Sequence, residues 1–171
     1  MTERKDVITT KGKPLTLIGN EVKVGDRAPD FEILNTSLEP VKLSSYKGKV
    51  VVVSTVPSLD TQVCDIETKQ FNDEAKKLGS DVVIITVSMD LPFAQKRWST
   101  EANVHDIQLL SDHRNNSFGT VYGVLIKELR LLARTVFVID KDGVVQYIQY
   151  VKETSDEPDY NEVLEAIKKL T

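Results

Sequence analysis

The chain has 171 residues, 40% of them hydrophobic and 28% charged, with a net charge of −4 and a pI near 5.3. These values fit one folded domain, expected over residues 1–171, with an ordinary core, and they exclude disorder along most of the chain. The acidic balance, the lack of a dense Lys/Arg block and an aromatic share of only 6% argue against a nucleic-acid partner, which needs clustered positive charge or a stacking platform.

The chain opens with "MTERKDVITTKGKP", which holds no apolar stretch of signal-peptide length. The segment "VITTKGKPLTLIGNEVKVG" alternates loosely and carries turn residues at 11–14 and 19–20, predicting short antiparallel strands. Turn signals recur around 35–40. The run "KVVVVSTVP", bounded by Gly48 and Pro57, suits a strand covered on both faces. Its apolar core at 50–53 is too short to cross a bilayer, and no membrane association is expected. A helix follows over "LDTQVCDIETKQFNDEAKKLGSD", with Val63, Ile66, Gln70, Phe71, Ala75 and Leu78 on one face and Gly79 as its stop. "DVVIITVSMD" predicts a second buried strand, and Pro92 opens a second helix. "ARTVFVIDKDGVVQYIQYV" predicts a hairpin turning at 140–143. The closing "SDEPDYNEVLEAIKKL" predicts an amphipathic helix with Val163, Leu164, Ile167 and Leu170 inward. Strands joined by helices, then a hairpin, imply an α/β fold: a mixed central sheet with helices on both faces and parallel, right-handed crossovers.

Cys64 is the only cysteine, so no internal disulfide can form, and a reduced cytoplasmic setting is expected. Its place after a buried strand, with Thr61 as N-cap, puts the sulfur in the first turn of a helix. There the unpaired amides and the helix dipole favour negative charge. A free cysteine with a pKa of about 8.5 is only about 3% thiolate at neutral pH, and lowering that value to about 6 raises the fraction roughly thirtyfold. Asp65 and Glu67 oppose this if they face the sulfur, so a cation from elsewhere is required. An inert buried thiol is the competing reading. No arginine follows closely enough for a phosphatase loop, and Glu67 stands where a C-x-x-C motif needs its second cysteine. His105 and His113, the only histidines, fall around loops and read as exposed surface residues rather than as a protease base or zinc ligands.

Pro57, Thr61 and Cys64 form the pattern P-x-x-x-T-x-x-C, which resembles the signature of peroxiredoxins. The stretches "FNDEA", "VSMDLPFAQKRW", "LLSDHRNNSFGTVYGV", "LLARTVFVIDKDG" and "EPDYNEVLEAIK" extend the resemblance along nearly the whole chain to the bacterial thiol peroxidases, the atypical two-cysteine peroxiredoxins. The resemblance implies a thioredoxin-like fold with an N-terminal β-hairpin, a homodimer, and reduction of hydrogen peroxide and alkyl hydroperoxides with thioredoxin as reductant. It makes Cys64 the peroxidatic nucleophile, which becomes a sulfenic acid. Thr61 hydrogen-bonds sulfur and peroxide, Pro57 shields the pocket from water, and Arg134 supplies the missing cation. No metal or organic cofactor is implied, because sulfur carries the redox change.

The family's resolving cysteine maps to Ser99 in "KRWSTEAN". A serine hydroxyl forms no disulfide, so recycling through thioredoxin is expected to be impaired. The intact helix context favours an engineered Cys→Ser change over a natural one-cysteine enzyme. Two other functions compete with the peroxidase: a peroxide sensor or relay that passes oxidation to a partner thiol, and a non-catalytic interaction domain with an inert Cys64.

Overall fold

The computed structural model describes residues 1–171. It begins with the hairpin of β1 (Glu3–Thr10) and β2 (Lys13–Ile18), paired antiparallel with Thr10 opposite Lys13. Lys11 and Gly12 form its two-residue turn, at φ values of 49° and 74°. Paired positive φ values are what the right-handed strand twist asks of such a turn. Beyond β2, Gly19 lies at φ 115°, and a Cβ there would stand 2.0 Å from the Thr120 carbonyl oxygen, so only glycine fits.

The hairpin of β3 (Glu32–Leu34) and β4 (Pro40–Lys42) follows. The Asn35 side-chain oxygen accepts from the Ser37 and Glu39 amides and closes its loop. A 3-10 turn over Leu43–Tyr46 leads to β5 (Val50–Thr55), buried along its whole length as its β-branched run predicts. Then come α1 (Gln62–Ala75), β6 (Val82–Ser88), α2 (Pro92–Ala102), β7 (Gln108–Ser111) and α3 (Ser117–Val121). The short β8 (Leu125–Ile126) extends the β1–β2 sheet. The chain ends with β9 (Thr135–Ile139), β10 (Val145–Tyr150) and α4 (Tyr160–Lys168).

The main sheet has seven strands in the order β10-β9-β5-β6-β7-β3-β4. β5, β6 and β7 are parallel, and β9 joins β5 antiparallel. Both crossovers step the same way along the sheet, so with one hand they place α1 and α2 on the same face. Phe71 of α1, Trp98 of α2, and Val163 and Ile167 of α4 all pack there against Val50, Val52, Ile84 and Val136. The opposite face buries Val51, Val53, Ile85 and Phe137 under Ile8, Leu17, Phe31, Phe118 and Tyr122. Helices do lie on both faces, but unevenly: three on one, and only the five-residue α3 on the other, where the N-terminal hairpin completes the cover.

Two local expectations are corrected. α1 ends at Ala75 with Lys76 as its C-cap, and Gly79 lies beyond it without the positive φ of a helix stop. Its buried face is Cys64, Glu67, Thr68, Phe71 and Asn72, while Ile66 is exposed. An apolar-face reading is rotated from the true face wherever polar side chains are buried, because hydropathy cannot anticipate a buried partner. Asp159 caps α4 by accepting from the Glu162 amide.

Asp112, 1% exposed, accepts from the Phe118 and Gly119 amides at 3.0 and 2.8 Å and fixes the start of α3. Burial outweighs those bonds and pushes its carboxyl up to about 6. Between pH of about 4, where an unfolded aspartate titrates, and pH of about 6, the folded chain holds this proton more firmly. Its contribution to stability therefore falls by roughly 3 kcal/mol as pH rises through that window. A carboxyl-carbon NMR titration is expected to place the Asp112 midpoint near 6; an ordinary aspartate value would contradict this.

Candidate active site

β5 delivers the chain to Pro57, and a turn at 57–61 hands it to α1. Asp90, just past β6, pins this turn: its carboxylate accepts from the Ser58 hydroxyl at 2.7 Å and the Leu59 amide at 2.8 Å. It also accepts from the Ser88 hydroxyl at 2.7 Å. Thr61 is the N-cap by position, which sets Cys64 in the first turn of α1 as expected. Its side chain does not cap the helix. The Thr61 hydroxyl donates to the Ser58 carbonyl at 2.9 Å, so the expected bond to the Cys64 sulfur is not made. A hydroxyl has one proton, and the tight turn places a carbonyl oxygen nearer to hand.

Cys64 is 0% exposed. The Arg134 Nη2 donates to its sulfur at 3.3 Å. Arg134 comes from the residue before β9, which is laid against β5 by the sheet. Its side chain is 2% exposed, and each guanidinium nitrogen has a partner: Nη1 donates to Glu67 Oε2 at 2.5 Å, and Nε and Nη2 donate to the Thr154 carbonyl at 3.3 and 2.8 Å. Burial works against its charge, but the Glu67 carboxylate and then the Cys64 sulfur more than offset that and raise its pKa. Glu67 also accepts from the Ser54 hydroxyl at 2.9 Å. Burial pushes the Glu67 carboxyl up, against the opposing pull of Arg134 and Ser54.

The two acids beside the sulfur are thus both engaged elsewhere. Asp65 accepts from the Trp98 indole at 2.9 Å and from Lys69 at 2.7 Å, which ties α1 to α2. Glu67 is spent on Arg134. Sequence reasoning took Glu67 only as an obstacle; its i+3 spacing from Cys64 on one helix face was the available signal that it shares the buried site. Ser54, Asp90 and Thr154 were not anticipated.

Pro57, Thr61 and Arg134 line one open cavity of about 280 Å³ with Thr10, Val63 and Leu129. Cys64, fully buried, is not itself part of the lining; Arg134, which donates to its sulfur, is. Ser99 does not join it: its hydroxyl donates to the Lys96 carbonyl at 2.9 Å, and it borders a separate groove beside Val104 and His105. His105 is exposed as expected, whereas His113 is half-buried with its Nδ1 3.0 Å from the Ser111 hydroxyl. No helix is long and apolar enough to cross a membrane.

The Redoxin family model matches residues 23–164, leaving the N-terminal hairpin outside the match. A thiol peroxidase of Bacillus subtilis is 55% identical over 163 residues, spanning 95% of this chain and 97% of its own. One from Halalkalibacterium halodurans is 56% identical over 161 residues, covering 94% and 96%. Among solved structures, a peroxiredoxin-like protein from Aquifex aeolicus superposes with a TM-score of 0.91 at 44% identity, over 97% of this chain and 98% of that one. A thiol peroxidase from Chromobacterium violaceum shares the fold with a TM-score of 0.82 at 23% identity, over 95% of each chain. The mixed sheet with its flanking helices and N-terminal hairpin is therefore a thioredoxin-like fold, and the chain belongs to the Redoxin family, in its bacterial thiol peroxidase branch.

Proposed function

We propose that this chain, acting as one domain over residues 1–171, is a thiol-dependent peroxidase that reduces hydrogen peroxide and alkyl hydroperoxides at Cys64. The carrying observation is the Arg134 guanidinium 3.3 Å from a buried sulfur in the first turn of a helix. Cation and helix N-terminus both stabilise a thiolate. The thiolate attacks one peroxide oxygen, the O–O bond breaks, and the leaving oxygen takes a proton to depart as water or alcohol. Sulfur is oxidised to the sulfenic acid while the peroxide is reduced. Arg134 stabilises the charge that grows on the leaving oxygen. Thr61, whose proton already serves Ser58, keeps oxygen lone pairs to accept the hydroperoxide's own O–H. Pro57 restricts water, and Val63 and Leu129 offer apolar surface to an alkyl group.

The same reading takes thioredoxin as the reductant, a homodimer as the assembly and the cytoplasm as the location. Ser99 removes the thiol that would resolve the sulfenic acid, so thioredoxin-driven turnover is impaired and a small thiol must substitute. Intact mass after one equivalent of peroxide is expected to rise by one oxygen, reversibly with dithiothreitol and not in Cys64→Ser. No such adduct, or undiminished steady-state turnover with thioredoxin, would count against the reading. The same absence of a resolving thiol supports a second reading, a relay that passes oxidation onward; mixed disulfides with a partner protein at low peroxide would favour it.

A further inference from the structure

Glu153 follows β10, and three of the four donors to its carboxylate come from the N-terminal hairpin, the fourth being the Ser155 hydroxyl at 3.3 Å from Oε1. Oε2 accepts from the Thr9 hydroxyl at 2.6 Å and the Gly12 amide at 3.1 Å, and Oε1 accepts from the Lys11 amide at 2.8 Å. These amides belong to the turn whose positive φ values direct them together, an arrangement suited to an anion. The Thr9 hydroxyl first, then the Gly12 and Lys11 amides, hold the Glu153 carboxyl down to about 2, so it is charged at any working pH.

The next residue carries this anchorage to the sulfur. The Thr154 amide donates to the Thr9 carbonyl at 2.9 Å, and its hydroxyl donates to that of Thr10 at 2.9 Å. The Thr154 carbonyl then accepts from Arg134 Nη2 at 2.8 Å, the same nitrogen that donates to Cys64 at 3.3 Å. We infer that Glu153 is a positioning residue for the reaction at Cys64: it clamps the hairpin turn onto the segment whose Thr154 carbonyl aims Arg134 at the sulfur. This gives the hairpin, which lies outside the matched family region, a role in the chemistry. Glu153 does not touch the sulfur, and it acts only through Thr154 and Arg134.

The inference rests on Arg134 acting on Cys64, and the test separates the two. Reduced protein is mixed with hydrogen peroxide in a stopped-flow instrument, and Cys64 alkylation by iodoacetamide is followed against pH, both well below the unfolding midpoint. Glu153→Ala is expected to slow oxidation about 10-fold, the scale of a modest misalignment of a reacting group. Its alkylation profile is expected to move to higher pH. Glu153→Gln, which keeps an acceptor for part of the clamp, is expected to fall between it and the parent, and it carries the test if the alanine variant does not fold. A lowered melting temperature with an unmoved rate and profile would show a mere structural staple and overturn the inference. If Arg134→Lys also leaves the rate unmoved, the reading of Arg134 itself fails; if only Arg134→Lys slows it, positioning by Glu153 alone fails.

Discussion

Arg134→Lys is expected to slow oxidation of Cys64 by peroxide about 10²–10³-fold, the cost of removing one preorganised donor from a developing charge. The substitution retains the positive charge, so charge alone cannot rescue it. Arg134 reaches Glu67, Thr154 and Cys64 at once from nitrogens spread across a rigid plane. A lysine ammonium offers donors from a single point on a shorter chain and cannot span the three. Buried beside Glu67, it would settle on the carboxylate and leave the sulfur and the leaving oxygen unattended. Stopped-flow oxidation of reduced protein measures this directly. A rate within a few-fold of the parent would mean that the general field of the helix N-terminus suffices and that the guanidinium geometry is incidental.

Much of the scaffold was legible because it follows local rules. The β-branched run at 50–55 is buried on both faces, Pro92 opens α2, and the turns at 11–12 and 140–143 make hairpins. What sequence pattern could not supply was the distribution of helices between faces. That depends on the direction in which β5, β6 and β7 are laid down, a tertiary choice with no local signature. β7, α3 and β8 also escaped, being too short for periodicity to declare them.

The site divides in the same way. Cys64 in a first helical turn followed from local order, and the resemblance brought in Arg134 from a distant segment, now found against the sulfur. Thr61 stands where expected, but its hydroxyl turns to Ser58, since competition between nearby carbonyls is decided by turn geometry. The acids at 65 and 67 read as electrostatic obstacles because a sequence shows charges without their partners. Trp98 and Lys69 occupy one, Arg134 and Ser54 the other.

Glu67 therefore carries the second large effect. Glu67→Ala is expected to destabilise the fold by about 3–5 kcal/mol, because it strands a buried guanidinium without its carboxylate. Urea denaturation of the reduced protein checks this, with a loss under about 1 kcal/mol counting against it. Glu67→Gln separates charge from shape. Its amide still accepts from Arg134 and fills the same volume, so the loss of stability is expected to be much smaller. Burial works against the ionised form of Glu67 and the Arg134 charge beside it works for it, so much of the attraction within this buried pair goes to offset desolvation. The sulfur should gain by the exchange. In the parent, Glu67 and an ionised Cys64 compete for one guanidinium charge; with Gln at 67, the thiolate becomes its only counter-ion. Oxidation of Cys64 by peroxide at neutral pH is accordingly expected to be faster in Glu67→Gln than in the parent. A slower rate would mean that Glu67 matters chiefly by aiming Arg134, and that losing this aim outweighs the relief of competition.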